Sequence, residues 1–188
     1  MKLVKKTEDI IDTLHKPFKG KRVKPRTYRK QGNKHYLSII RKKKHRSNIP
    51  RRAIKKQLNY VGRNLESINK MGKETGYQLL SKKQYRDLLV ISELYRQQKE
   101  MYNARSHRIA DRITSISQPH VRPIVRGKVK SPVEFGAKIS ASLVGGFAYV
   151  DRISFDAYNE STDLIGQIES YYNTYGYYPE SVHADKIY

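Results

Sequence analysis

The chain has no cysteine among its 188 residues, which excludes disulfides, thiolate zinc sites and cysteine nucleophiles. Long apolar runs are lacking as well. The longest, Leu143–Val150, is short and broken by Gly145 and Gly146, so no transmembrane span is expected. The first residues turn acidic at Glu8 and Asp9 without an apolar signal core, and the expected location is cytoplasmic, with no membrane partner. Six histidines (His15, His35, His45, His107, His120 and His183) show no metal-ligand spacing. Gly127 and Gly145-Gly146 make no phosphate-binding fingerprint, and no Ser/His/Asp order stands out.

Acidic residues are scarce where basic ones are dense. Residues 1–60 hold 21 Lys/Arg against 3 Asp/Glu, residues 61–110 hold 10 against 5, and residues 111–188 hold 8 against 9. The formal net charge of +22 therefore belongs to the front of the chain, and the back is nearly neutral. Such a field is costly to hold together without a polyanion, and release of counterions from phosphates is the usual compensation. Nucleic acid is the expected partner.

The apolar spacing predicts a short helix from Thr7 to about Lys16, with Ile10, Ile11 and Leu14 on one side, ended by Pro17 and Gly20. Lys19–Lys30 reads as an extended, solvated basic stretch. A second helix is expected from about Asn33 to Lys44, with Tyr36, Leu37 and Ile40 together. Pro50 suits the first turn of a longer helix whose seam is Ile54, Leu58, Val61, Leu65 and Ile68, broken at Gly72 and Gly76. Ser81 and Gln84 form a capping-box pattern for a helix with Tyr85, Leu88, Ile91 or Ser92, Tyr95, Gln98 and Tyr102 on one face. The two long helices are expected to pair as an antiparallel hairpin.

Beyond Asp111 the pattern changes. Arg112–Ser117 alternates as a strand does, and a Pro-punctuated loop follows, from Pro119 to Pro132. Val133, Phe135, Ala137, Ile139, Ala141 and Leu143 alternate strictly, as in a strand with one buried face. Gly145-Gly146 signals a hairpin turn to Phe147–Ser154. Ser161 or Thr162 can cap a helix through Tyr175, stopped by Gly176, and a last strand is expected over Ser181–Ala184. Tyr171, Tyr172, Tyr175, Tyr177 and Tyr178 read as packing residues, whereas Tyr28 and Tyr36, set among cations, leave both packing and stacking on bases open. The fold class is α+β or mixed α/β, with a basic helical segment over 1–110 and a second domain over 111–188.

Three stretches carry a resemblance. They are Lys6-Thr7-Glu8-Asp9-Ile10-Ile11-Asp12-Thr13-Leu14-His15 with Lys19–Tyr28, then Gln118–Lys128 running on to Val133–Lys138, and Tyr178-Pro179-Glu180-Ser181-Val182-His183-Ala184-Asp185-Lys186-Ile187-Tyr188. In their order and wording they resemble the DDE-type transposases of bacterial insertion sequences. The resemblance implies that 111–188 is part of an RNase H-like catalytic domain. It implies too that Asp185, just past a strand, corresponds to the second of three carboxylates holding two Mg²⁺ (or Mn²⁺) ions for phosphodiester displacement. His183 alternates with Asp185.

The family's first Asp is expected before Lys6 and its Glu beyond Tyr188, so the chain reads as truncated at both ends. One carboxylate should not hold two metals, and strand transfer by this chain alone is not expected. The absent central strand would leave Ile139, Leu143, Ile165 and Ile168 poorly covered, making the piece marginal, homo-oligomeric or dependent on a complementing chain. The surviving activity is expected to be DNA binding. The Lys/Arg of 19–30, 41–46 and 51–56 would contact phosphates, among them Lys21, Arg22, Lys24, Arg26, Arg29, Lys42, Lys43, Lys44, Arg51, Arg52, Lys55 and Lys56. Arg122, Arg126, Lys128 and Lys130 form a second, smaller cluster. An RNA-binding or ribosome-associated basic protein is the alternative.

Overall fold

The computed structural model describes residues 2–42, 44, 48–125, 133–156 and 158–184. The architecture is mixed helix and sheet. Among the described residues there are five α-helices and two antiparallel two-stranded sheets. The chain divides into two compact units, Met1–Ser117 and Gln118–Tyr188.

The first unit is built from α1 (Lys2–Leu14), α2 (Arg29–Ile40), α3 (Asn48–Thr75) and α4 (Lys82–Asn103). Helix α1 starts well before Thr7, because Val4 extends its apolar side and is buried with Ile10, Ile11 and Leu14. It packs on each of the other three helices, most extensively on α3. The core joins these residues to Tyr60, Val61, Leu65, Ile68 and Met71 of α3, Leu80, and Leu88 and Ile91 of α4. Helices α3 and α4 are antiparallel: Arg51 near the start of α3 reaches Tyr102 near the end of α4, while Gly62 and Tyr95 meet at mid-length.

Two polar contacts fix the register of α1 on its neighbours. Asn64 Nδ2 donates to Thr7 Oγ1 at 2.9 Å inside the core, and Gln84 Nε2 donates to Thr13 Oγ1 at 2.9 Å. Gln84 also closes the expected capping box, its backbone N–H donating to Ser81 Oγ at 3.2 Å and its side chain accepting from the Ser81 N–H at 3.1 Å.

Several expectations shift. Of the predicted seam only Val61, Leu65 and Ile68 are buried; Ile54 is exposed, near the start of α3. Helix α3 continues through Gly72 to Thr75, and Gly76, at φ 70°, terminates it. A Cβ on Gly72 would stand 2.3 Å from Tyr77 Cζ, so that glycine makes room for a ring instead of breaking the helix. In α4 the buried stripe is Leu88, Ile91, Leu94, Gln97 and Met101, leaving Tyr85 exposed and Tyr95 at the border. Helix α2 is displaced toward the N-terminus, and Ile40 is exposed on it.

Arg112–Ser117 forms no strand. Gln97 holds its beginning instead, donating from Nε2 to the Asp111 carbonyl at 3.1 Å and accepting from the Ile113 N–H at 2.9 Å. A side-chain amide thus supplies the pairing a neighbouring strand would give, and Ile116 packs on the helical core. The segment belongs with the helices, so the unit boundary falls after it and not at residue 110.

In the second unit, β1 (Pro123–Val125) pairs antiparallel with β2 (Val133–Phe135), where a loop was expected. Gly136, at φ 154°, separates β2 from β3 (Lys138–Val144). The hairpin of β3 with β4 (Phe147–Ser154) forms as expected, with Gly145 and Gly146 both at positive φ. A bulge makes Asp151 the extra residue between Val150 and Arg152. Helix α5 (Leu164–Tyr175) follows a 3-10 turn, Glu160–Asp163, capped by Asn159 instead of Ser161 or Thr162, and ends at Gly176 in the left-handed region.

Helix α5 is bonded to one hairpin face: Gln167 Nε2 donates to Ser140 Oγ at 2.9 Å and to Asp151 Oδ2 at 2.8 Å, and Arg152 bridges to Asp163 at 2.8 Å. That face is the polar one. The apolar alternation of Ile139, Ala141 and Leu143 shares one face, as its period implies; that face points the other way and is exposed, in line with the poor cover expected at Ile139 and Leu143. Ile165 is exposed as well, and Ile168 is half-buried. Residues Ser181–Ala184 form no strand, since neither two-stranded sheet pairs with them. The expected packing tyrosines mostly pack on one another, with Tyr172 and Tyr178 stacked at 4.6 Å, and Tyr172, Tyr175, Tyr177 and Tyr178 stay exposed.

Candidate nucleic-acid interface

The predicted cations separate into two groups according to what they touch. Five are engaged inside their own unit. Arg29 Nε donates to Glu8 Oε2 at 2.6 Å, with Asp9 at 3.4 Å and Asp12 at 3.8 Å from its guanidinium. Lys24 pairs with Asp12, and Arg22 pairs with Glu74 while lying over Phe18 at 5.1 Å. Arg51 donates to the Tyr102 carbonyl at 3.0 Å and stacks on its ring at 4.1 Å, and Arg122 donates to the Pro119 carbonyl. The basic stretch 19–30 is largely extended and exposed, as expected, yet it is not free of contacts. Three of its cations are fastened to acids on α1 and α3, and helix α2 begins within it.

The Glu8–Arg29 pair shows why the stretch docks. Glu8 is fully buried, and burial pushes its carboxyl up, opposed by the hydrogen bond and charge of Arg29. The hydrogen bond to Glu8 raises Arg29 in turn and holds it charged. A carboxylate buried beside a guanidinium needs that partner, so the acid positions the basic strand.

Tyr28 is also occupied. It sits at φ 57° between two guanidiniums, Arg26 at 4.6 Å and Arg63 at 4.4 Å from its ring centre. Arg63 also covers Tyr60 at 5.2 Å, and Tyr60 shares a 2.9 Å hydrogen bond with His35 Nδ1. This stack fastens α2 to α3, the packing alternative for Tyr28.

The second group faces solvent. Lys21, Arg26, Lys42, Lys44 and Arg52 are exposed. Lys43, Arg126, Lys128, Lys130 and Asp185 lie outside the described residues. Sequence reasoning missed Arg63, Lys70 and Lys73, which continue this group along α3. Arg52, Lys56, Asn59, Arg63, Glu66, Lys70 and Lys73 recur at alternating spacings of four and three, and all are exposed. They lie opposite Val61, Leu65 and Ile68, so the heptad that buries the seam also aligns this stripe. Five of the seven positions are cationic. Arg52, Lys56, Lys70 and Lys73 have no ion pair among the described residues. At the rise of an α-helix, Arg52 to Lys73 covers about 32 Å, close to one turn of a DNA duplex.

Among the described residues no group of three or more His, Cys, Asp or Glu side chains is placed to hold a metal ion. No described helix is long and apolar enough to cross a membrane. Comparison with protein-family models, with curated proteins and with solved structures found no match to this chain.

Proposed function

We propose that this chain is a DNA-binding piece of a DDE-type transposase, gripping the phosphate backbone through the exposed cations of α3 and of the segments before it. The observation that carries the reading is the stripe Arg52–Lys56–Arg63–Lys70–Lys73, exposed and borne on a helix whose other side is core. A rigid row of cations about as long as a duplex turn can follow a backbone without ordering flexible chain first. Such contacts give affinity with little sequence information. Lys21, Arg26, Lys42, Lys44 and Arg52 extend the basic surface, while Arg22, Lys24, Arg29 and Arg51 hold the scaffold.

The catalytic side of the reading rests on the resemblance at Tyr178–Asp185. On that resemblance the second unit is an RNase H-like part, and Asp185 is one of its metal-binding carboxylates. In that arrangement the strand ending at Asp185 pairs with a central strand bearing the first Asp. The described residues do not supply a two-Mg²⁺ donor set.

The test is a charge reversal of the stripe, Lys56→Glu with Lys70→Glu and Lys73→Glu, read by fluorescence anisotropy on a labelled duplex. Affinity should fall about 10- to 100-fold with helical content unchanged. Undiminished affinity removes the stripe from the interface. Competition by structured RNA at concentrations where duplex DNA does not compete would favour an RNA-binding or ribosome-associated protein instead.

A further inference from the structure

In the docked basic stretch Arg22, Lys24 and Arg29 each meet a carboxylate, and Arg26 meets an aromatic ring instead. Its guanidinium lies 4.6 Å from the centre of Tyr28. Arg63 of the α3 stripe lies 4.4 Å from the same ring and 5.2 Å from Tyr60. Two segments distant in sequence thus bring two guanidiniums no farther than about 9 Å apart. Both residues are exposed, and neither forms an ion pair among the described residues. Like charges this close repel, and the negative faces of the rings offset that repulsion without neutralising either charge.

Tyr28 is held in this contact at a local cost. Its φ of 57° is one that glycine or asparagine adopts more readily, and its side chain makes no cap hydrogen bond to helix α2, which it precedes. What a tyrosine adds here is the ring. That ring is itself fixed, packed on the helical core and 6.1 Å from Tyr60, which His35 hydrogen-bonds at 2.9 Å. A guanidinium stacked on an aromatic face keeps its N–H edge turned outward, and that edge meets a phosphate in bidentate fashion. On Arg63 the Nε donates to the Asn59 carbonyl at 3.2 Å, so its terminal nitrogens form the outward edge.

We propose, resting on duplex binding by the α3 stripe, that Arg26 and Arg63 grip successive phosphates of one DNA strand and that Tyr28 is the positioning residue for both. Arg63 stands midway along the stripe, and Arg26 widens it there. Both guanidiniums are set before DNA arrives, so little side-chain freedom is lost on binding. Lys56, Lys70 and Lys73 carry the same charge but meet phosphates as mobile point charges. The arginine pair therefore contributes through geometry as well as charge, and the two contributions can be separated.

Fluorescence anisotropy of the full chain on a labelled duplex, at several salt concentrations, tests the pair. Arg26→Lys with Arg63→Lys keeps every charge and loses the stacked donors. Affinity should fall about fivefold to tenfold with the salt slope unchanged, whereas Arg52→Lys, at an exposed arginine with no ring contact among the described residues, should stay within about twofold. Tyr28→Leu keeps apolar bulk on the core without a π face and should match the double variant, while Tyr28→Phe should bind as the parent chain does. Should Tyr28→Leu fail to fold, the double-lysine variant decides alone. A double-lysine variant that binds like the parent, an equal loss in Arg52→Lys, or Tyr28→Phe as weak as Tyr28→Leu would each overturn the positioning role. In those cases the charge reversal of Lys56, Lys70 and Lys73 still decides duplex binding by itself. A parent chain without salt-dependent affinity for the duplex overturns both.

Discussion

Replacing Arg29 with alanine tests whether the basic stretch is part of the fold or free to bind. Glu8 is fully buried and Arg29 is its hydrogen-bonded counter-charge at 2.6 Å. Removing one partner of a buried pair costs 3–5 kcal/mol when both are enclosed. Here Arg29 is half exposed, so water partly replaces it, and about 1.5–3 kcal/mol is expected. The loss should depend on pH. The Glu8 carboxyl already sits above the usual carboxylate range because of burial, and Arg29 opposes that shift. Without Arg29 it rises further. A group that holds its proton more tightly in the folded state destabilises the fold as pH rises through the folded value. The defect in Arg29→Ala should thus be largest at neutral pH and above. It should shrink as the pH falls through the ordinary carboxylate range and vanish below it, where Glu8 is protonated in both states. Urea unfolding followed by helical circular dichroism at several pH values measures this. A loss below about 0.5 kcal/mol, the size of an ordinary surface substitution, would refute the clamp. So would a loss that does not diminish on acidification.

Three further outcomes follow from other contacts. Gly72→Ala should destabilise by about 1–2 kcal/mol despite the better helix propensity of alanine, because its Cβ meets the Tyr77 ring; adding Tyr77→Ala should make the pair clearly non-additive in thermal unfolding. Gln97→Leu should raise amide exchange across 111–117 by tenfold or more while α1 and α3 stay protected, since Gln97 bonds both Asp111 and Ile113. In the second unit, burial raises the Asp163 carboxyl but the hydrogen bond and charge of Arg152 outweigh it and hold it below its ordinary value. Stability from this pair is complete above the ordinary carboxylate range and is lost as pH falls through the lowered value. Arg152→Gln should flatten that acid-side decline in the near-ultraviolet tyrosine signal.

What the sequence disclosed tracks where local chemistry decides the outcome. The capping box at Ser81 and Gln84, the Gly145-Gly146 turn and the Gly176 stop need few residues and no partner, and each formed as read. The core of α1 and the inner part of the α3 seam were legible because period and burial agree there. Long-range pairing was not legible. Nothing in Lys19–Lys30 announces that Glu8, Asp12 and Glu74 capture three of its cations, since those acids lie on other helices. Arg112–Ser117 alternates as a strand does, yet a glutamine side chain occupies the edge it would have paired with. The alternation of β3 gave its apolar set, but its exposure could be expected only from the resemblance, because periodicity reports which residues share a face and not whether anything covers it. The α3 stripe was available in principle. The seam through Val61, Leu65 and Ile68 fixes the opposite side, and reading that side for charge would have added Arg63, Lys70 and Lys73.

The central claim is that the exposed cations bind a polyanion by neutralising phosphates. Its most direct test is the affinity of the full chain for a short duplex measured across a range of salt concentrations. Five stripe cations, with Lys21, Lys42 and Lys44 contributing in part, predict a slope of log K against log salt between about −4 and −7, at roughly −0.9 per phosphate contacted. A slope near zero, with binding retained at high salt, would contradict the account.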